Sequence, residues 1–131
     1  MAPISGMLIH LLRRTARLTH EKEKKAKIRC LNDEFRRSMN PELGRFVMTQ
    51  GVAGLTELEK IAVVQKVRLF DDFNRGNDPH GEHDFGSFSV RDQKLFFKID
   101  YYDKTLEWGS EDPSDPEKTT RVMTLMLASE Y

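Results

Sequence analysis

The sequence has a single cysteine, Cys30, among its 131 residues. One cysteine cannot close a disulfide within the chain, and this composition is typical of a reducing compartment, so we expect a cytoplasmic protein. Cys30 falls near the apolar stripe of a predicted helix, where we expect a small buried side chain. Apolar runs are also short. The run at residues 7–12 cannot span a membrane, and its arginines follow it, whereas a secretory signal carries its positive charge first.

Signatures of known catalytic sites are missing as well. The sequence contains no HExxH metal motif, no paired CxxC and no glycine-rich phosphate loop. No serine or cysteine lies in a recognisable nucleophile context. The letters DFG at 84–86 match the kinase metal motif, but the chain lacks the other kinase motifs and is far too short for a kinase domain. A binding protein is therefore expected ahead of an enzyme.

Charge is distributed unevenly along a chain whose net charge is zero. Residues 1–40 contain ten Lys and Arg against four Asp and Glu, a net +6, and residues 41–131 contain eleven against seventeen, a net −6. This pattern allows an acidic face that meets a basic partner. The length predicts a single domain, which we place at 21–131 because the helical pattern begins there, with residues 1–20 as an N-terminal extension. The extension is either loosely docked or an amphipathic helix that meets a surface or a partner.

Apolar spacing predicts two helices in the first half of the chain. Residues 21–39 carry one apolar stripe that runs from Ile28 to Met39, with Arg36 off the stripe. A short strand at 45–50 and a loop at 51–54 follow. Thr56 and Glu59 then form a capping box, which predicts a second helix that ends near residue 70.

Alternating apolar residues predict a β-hairpin in the second half, with strands at 84–90 and 94–102. Residues 105–108 are a candidate third strand. A third helix is predicted after Pro116, and the residues expected to face the core from it are Val122, Leu125 and Met126. This order of elements indicates the α+β class, with a small antiparallel sheet of three to four strands and about three helices packed on it.

The segment 70–88 holds two histidines and five acidic residues, and it is the main candidate for a functional site. Pairing of Val90 with Lys94 would put Asp84 opposite Asp100, on one face of the hairpin. Three interpretations stay open for this segment: a structural loop, a partner-binding surface, or a catalytic or metal site. The candidate binding residues, here and in the acidic stretch that follows, are Asn77, Asp78, His80, Glu82, His83, Asp84, Asp100, Tyr101, Asp112 and Asp115.

Four short motifs carry a resemblance to a known family. They are NDP at 77–79, HDFG at 83–86, KIDYYD at 98–103 and TRVMTLMLASEY at 120–131. Together they resemble an uncharacterised bacterial and phage family with paired Asn-Asp-Pro and Asp-Phe-Gly motifs, over residues 28–131. The resemblance implies no chemistry. It implies a setting in phages and plasmids, whose small accessory proteins often block host defences.

We therefore expect a phage or plasmid accessory protein that acts by non-catalytic binding and inhibits a nucleic-acid defence system, in the manner of an anti-CRISPR or antirestriction protein. Its partner would be a protein of such a defence complex, met by the six acidic residues within 101–117. We expect no cofactor and no membrane partner. Basic residues of the predicted helix 21–39 could contact nucleic-acid phosphates, and these are Lys22, Lys24, Lys25, Lys27, Arg29, Arg36 and Arg37. We favour a solvated helix face without direct nucleic-acid binding, because Lys25 and Lys27 pair with glutamates four residues earlier. The oligomeric state is left open.

The alternative is a small metal-dependent hydrolase or nuclease. His80, His83, Asp84 and Asp100 are a plausible set of ligands for a divalent metal, which would orient a substrate and activate water. A histidine and an aspartate from the same set could instead act as a general base and its orienting partner.

Overall fold

The computed structural model describes residues 5–131. Within them the chain forms three α-helices and four β-strands, an α+β fold as expected, and a closing 3-10 helix at Ala128–Glu130. The helices are α1 (Gly6–Ser38), α2 (Gln50–Ala53) and α3 (Glu57–Arg68), and the strands are β1 (Gly44–Met48), β2 (Phe85–Val90), β3 (Gln93–Tyr102) and β4 (Thr120–Leu127). The strand order is β1-β4-β3-β2. No helix of the described residues is long and apolar enough to cross a membrane.

Helix α1 is much longer than the predicted segment 21–39 and includes residues 6–20 of the predicted extension, whose residues 1–4 lie outside the described part of the chain. Ser5 begins it by accepting a hydrogen bond from the Leu8 backbone N–H, and Met39, in the left-handed conformation at φ 52°, ends it. Residues 5–25 are exposed throughout, and contact with the rest of the fold begins near Ile28. Cys30 is exposed, so the prediction of a buried thiol is wrong. It lies off the buried stripe on the outer side of α1.

Helix α3 confirms the capping box read from the sequence. The Thr56 hydroxyl accepts from the Glu59 N–H, and the Glu59 carboxylate accepts from the Thr56 N–H. Val63 and Val67 are fully buried on its inner face. The predicted loop at 51–54 is instead mostly the short helix α2, whose Val52 is buried in the same core.

The core lies between the helices and one face of the sheet. Leu95, Phe97 and Ile99 alternate onto this face, and Tyr101, on the same face, is half-buried at the end of β3. Buried side chains of all three helices join them in one apolar cluster. The opposite face of the sheet is not covered by any of the three α-helices.

The hairpin register differs from the predicted one by one residue. Val90 pairs with Gln93 around a two-residue turn, in which Arg91 takes a positive φ of 53°. Two-residue turns of this kind match the twist of paired strands and require positive φ. Asp84 consequently lies opposite Ile99, whose N–H donates to the Asp84 carbonyl over 2.8 Å, and the predicted pairing of Asp84 with Asp100 is wrong.

The predicted third helix does not exist: its residues form β4, the strand between β1 and β3. Arg121, Met123 and Leu125 point to the core on alternate positions, a period of two that the helical interpretation overlooked. β4 pairs antiparallel with β3 but parallel with β1, so the sheet is mixed and not purely antiparallel. Residues 105–108 are a turn, closed by one bridge between Tyr102 and Gly109, and not a strand.

Candidate functional site

The polar loop at 71–84 is attached to helix α1 by one stripe of polar side chains. Arg29, Asn32, Asp33 and Arg36 recur at the spacing of successive helical turns and all contact the loop or its flanks. The Arg29 guanidinium donates to the Gly81 carbonyl over 3.0 Å, and the Asn32 amide donates to the carbonyl of residue 82 over the same distance. The loop is therefore a fixed part of the fold.

His83 lies between two carboxylates. Its Nδ1 is 2.9 Å from Asp33 Oδ1, and its Nε2 is 3.7 Å from Asp78 Oδ2. The imidazole stacks on the Phe73 ring at 3.8 Å between centroids and 4° between planes. The backbone of His83 has φ 57°, in the left-handed region that few residues adopt without strain. Both ring nitrogens thus face acidic groups of the fold itself, and Nδ1 is within hydrogen-bond distance of Asp33.

The NDP motif closes the same loop on itself. The buried Asp78 carboxylate accepts from the backbone N–H groups of Glu82 and His83 over 3.0 and 3.2 Å. Asn77 donates to the Asp72 carbonyl over 2.6 Å and accepts from the Asn74 N–H over 2.8 Å. Short polar side chains that bond nearby backbone are the usual means of fixing a tight loop. Asn77 and Asp78 therefore hold the shape of the loop through hydrogen bonds within it.

Arg36 was predicted to lie off the buried stripe of α1, yet it is fully buried. Its guanidinium donates to the carbonyls of Val67 and Phe70 over 3.0 and 2.8 Å, and so satisfies the end of α3, and it pairs with Asp33 at 2.8 Å. Its Nε is the one buried side-chain nitrogen or oxygen atom without a hydrogen-bond partner among the described residues. The only sequence signal for this role was its position one turn after Asn32.

Arg121 and Asn32 connect the polar loop to the second acidic segment. Arg121 Nε donates to Asn32 Oδ1 over 2.7 Å, and its Nη2 donates to the Pro113 carbonyl over 2.6 Å. Tyr101 lies against the same guanidinium, accepts from the Asn32 amide and donates to the Glu82 carboxylate over 3.3 Å. Burial raises the pKa of the Tyr101 hydroxyl, so it stays protonated and keeps this donor role.

Glu82 and Asp84 are the carboxylates that the fold leaves partly desolvated. Burial raises the pKa of both side chains above their usual range. The negative charge of Asp84 raises the pKa of Glu82 further, that of Asp100 raises the pKa of Asp84, and that of Asp78 raises both. Exposed His80 lies close enough to oppose this shift in both groups. Carboxylates that perturb one another in this way are common at functional sites, and they create a strong local negative potential.

The second acidic segment, between β3 and β4, is stabilised by turns of its own. Asp112 accepts from the hydroxyl and the N–H of Ser114, and this hydrogen bonding lowers the pKa of its carboxyl. Asp115 accepts from the Glu117 N–H over 2.9 Å. Both aspartates therefore have local structural roles. Exposed carboxylates in the same segment, Glu107, Glu111 and Glu117, make no side-chain hydrogen bond within the described residues.

The two acidic segments meet at one end of the sheet. β2 begins there, β3 ends there and β4 begins there, because β3 is antiparallel to both neighbours. We call residues 71–84 and 100–118 together the acidic end. It carries twelve Asp and Glu against three Lys and Arg, a net charge of −9 in a chain that is neutral overall. The ten predicted site residues all lie in it.

The four side chains of the predicted metal site are not assembled as a ligand set. His83 faces Asp33 and Asp78, and Asp84 lies opposite Ile99 and not Asp100. Asp100 instead forms an ion pair with Lys98 at 3.0 Å. Within residues 5–131 no group of three or more His, Cys, Asp or Glu side chains has an arrangement that could hold a metal ion.

Comparison with known proteins gives a family and no chemistry. No curated protein matches the chain. No solved structure matches it either. One family model matches residues 48–130, a range that contains the loop, the NDP and DFG motifs and strands β2 to β4. The match covers more than half of the chain, so the protein belongs to the family described as a protein of unknown function, DUF3768.

Proposed function

We propose that this protein acts by non-catalytic binding, and that the acidic end receives a basic surface of a protein partner. The observation that carries the proposal is the net charge of −9 gathered at one end of a neutral chain. A concentrated charge of one sign steers association with an oppositely charged surface and raises the rate of encounter.

The rigidity of the acidic end supports this role. Asn32 and Arg121, both buried, fix its two segments relative to each other, and Asp78 and His83 hold the loop from within. A surface that is already ordered loses little conformational entropy when it binds. Asn77, Asp78 and His83, three of the candidate binding residues, thus support a surface formed by their exposed neighbours.

The partner that fits this surface is a protein with a basic groove for nucleic acid. An acidic protein that covers such a groove competes with the phosphate backbone, and its affinity falls as salt rises. We propose as its target a nucleic-acid-processing complex of a host defence system, such as CRISPR or restriction, with the protein as an accessory factor of a phage or plasmid. The single cysteine fits action in the cytoplasm.

The test is capture of such a complex by the immobilised full chain, followed by a nucleic-acid binding assay on the purified complex. The proposal expects salt-sensitive capture and loss of nucleic-acid binding when the chain is added. The informative variant reverses Glu107, Glu111 and Glu117 to lysine, because these exposed side chains make no hydrogen bonds of their own. Reversal of Asp112 and Asp115 would be less informative, since both hold turns.

A matched control reverses three exposed acids outside the acidic end, Glu34, Glu42 and Asp92, and so makes the same change in net charge. The proposal expects capture by the control and none by the variant at the acidic end. If both variants lost capture equally, the change in net charge alone would explain the loss. Capture without any effect on nucleic-acid binding would reject the inhibitory role.

Metal-assisted hydrolysis is the second candidate, and one observation favours it. The raised pKa values of Glu82 and Asp84 are typical of carboxylates at catalytic sites. Calorimetric titration with Mn²⁺ and Zn²⁺ decides between the two candidates. Binding that Asp84→Asn and Asp100→Asn each remove would support the enzyme. Absence of such binding, together with absence of phosphodiester hydrolysis, would leave the binding protein as the remaining candidate.

A further inference from the structure

We infer that the exposed N-terminal part of α1, residues 6–25 and here called the arm, binds an anionic lipid surface by lying in its interface. This inference is independent of the proposed function, which concerns the acidic end. The arm has no contact role in the core, since every one of its side chains is exposed. Six of its exposed residues are large and apolar, namely Met7, Leu8, Ile9, Leu11, Leu12 and Leu18.

The arm is amphipathic between residues 7 and 19. At 3.6 residues per turn, its apolar side chains and two threonines fill an arc of about 200° around the helix axis. The remaining arc contains only His10, Arg13, Arg14 and Arg17. Arg13 and Arg14 border the apolar arc on its two sides. A helix with apolar residues on one face and arginines beside and opposite them has the pattern of an interfacial membrane helix.

The charge of the arm identifies the surface. No acidic residue occurs between positions 5 and 20, although Asp and Glu make up 21 of the 131 residues of the chain. Each basic residue near an anionic leaflet contributes about 1 kcal/mol of attraction. An anionic bilayer would therefore bind both the apolar face and the positive charge of the arm. The apolar side chains would lie among the acyl chains, and the arginines would contact the phosphates.

The helical conformation of the arm also needs a partner that stabilises it. Most of the stability of a protein helix comes from packing of its apolar face, and short helices without such packing are marginal in water. The arm has no such packing within the described residues. A lipid interface that removes this apolar face from water would gain the free energy of its burial.

Other candidate partners match either the charge or the apolar face of the arm, but not both. Nucleic acid would contact the arginines but leave the apolar arc in water. The exposed apolar stripe of Leu58, Ile61 and Leu69 on α3 of a second copy is bordered by Glu57 and Glu59 as well as by Lys66 and Arg68, so it offers the arginines of the arm no net negative charge. The acidic end attracts the arginines but has one exposed large apolar side chain in residues 71–84 and 100–118, that of Trp108.

An interfacial helix does not need to cross the membrane. A spanning segment needs about 20 apolar residues, whereas an interfacial helix needs one apolar face.

The experiment is flotation of the full chain with vesicles of phosphatidylcholine alone or of equimolar phosphatidylcholine and phosphatidylglycerol. We expect flotation with the anionic vesicles only, and less of it at high salt. Replacement of Arg13, Arg14 and Arg17 by glutamine should weaken partition on the order of a hundredfold. Leu8→Glu with Leu11→Glu should abolish it, without loss of fold, because both side chains are exposed.

The matched control is Leu58→Glu with Ile61→Glu, which makes the same change on the exposed stripe of α3 and should leave flotation intact. Flotation that is equal with both vesicle types, or unchanged in the arm variants, overturns the inference. So does a dimer, measured by light scattering, that the arm variant dissociates while vesicles stay unbound. The arm variants should still capture the partner of the acidic end, so the two proposals fail separately.

Discussion

Arg121 Nε donates to Asn32 Oδ1 over 2.7 Å and so joins β4 to α1 at the point where the two acidic segments meet. Both side chains are buried, at 3% and 0% exposure. The same guanidinium reaches the Pro113 carbonyl, and the same amide reaches the backbone of the polar loop. One pair of side chains thus fixes both halves of the acidic end, and its loss should be felt in stability as well as in binding.

Asn32→Leu should lower the free energy of unfolding by about 2–4 kcal/mol, because it removes one partner of the buried Arg121 guanidinium and the donor to the half-buried carbonyl of residue 82. Urea unfolding at constant pH measures the change. Arg37→Met is the control, since Arg37 is exposed and 3.9 Å from Asp33, and it should change stability by about 0.5 kcal/mol or less. Similar small effects of both substitutions would contradict the role of Asn32.

His83→Ala should destabilise the fold by about 1–3 kcal/mol, because it removes the contacts with Asp33 and Phe73 and puts alanine at a positive φ. His80→Ala, three residues earlier and exposed, should leave stability nearly unchanged. Thermal unfolding of the two variants side by side makes the comparison. An effect of His80→Ala as large as that of His83→Ala would indicate that the loop is held differently.

Asp84→Asn should stabilise the protein at neutral pH. Burial raises the folded pKa of Asp84, so between the ordinary carboxyl pKa near 4 and this raised value the folded state binds more protons than the unfolded state. Stability therefore falls as pH rises through that window. Asparagine removes this dependence, and the midpoint of thermal unfolding should rise at pH 7 with little change below the ordinary pKa.

Asp103→Asn is the control of opposite sign. The hydroxyl of Thr105 donates to Asp103 and lowers the pKa of its carboxyl, so this group stabilises the fold above the ordinary pKa and ceases to do so as pH falls through the lowered value. Its substitution should lower the unfolding midpoint at pH 7. Shifts of the same sign in the two variants would contradict the assigned environments.

Gly86→Ala should destabilise the fold by about 1–3 kcal/mol through overpacking. A Cβ at Gly86 would lie 2.7 Å from Phe70 Cε1 and press on the Phe97 ring as well. This close contact explains why the third position of the DFG motif has no room for a side chain. Gly109→Ala is the control, since the nearest atom to its added Cβ is 3.9 Å away. Denaturant titration of both variants tests the assignment, which equal stabilities would refute.

Locally encoded features were predictable from the sequence. The capping box of Thr56 and Glu59 and the alternation in β3 depend on neighbours within a few residues, and the structure confirms both. β4 was not predictable in this way. Its apolar residues at 122, 125 and 126 also fit a helical spacing, and pairing with β3 and β1 decided between the two periods.

The sequence predicted which segments of the chain form the candidate site, but not how their side chains are arranged. The polar loop and the acidic stretch after β3 do meet, but the side chains that organise them, Asn32, Asp33, Arg36 and Arg121, come from distant positions in the chain. Asn32 and Arg121 are 89 residues apart. No spacing rule reports such contacts, because they depend on where β4 and α1 are placed by the fold.

The position of β4 between β1 and β3 has a consequence for biosynthesis. β1 is complete at residue 48, yet it hydrogen-bonds only to residues 121–125 of β4 within the sheet. A ribosome must therefore add more than half of the chain before β1 finds its neighbour, and the polypeptide until then exposes a strand edge open to other chains. Premature termination before residue 120 would remove the inner strand of the sheet, so a cell should find such fragments insoluble or degraded, not partly active.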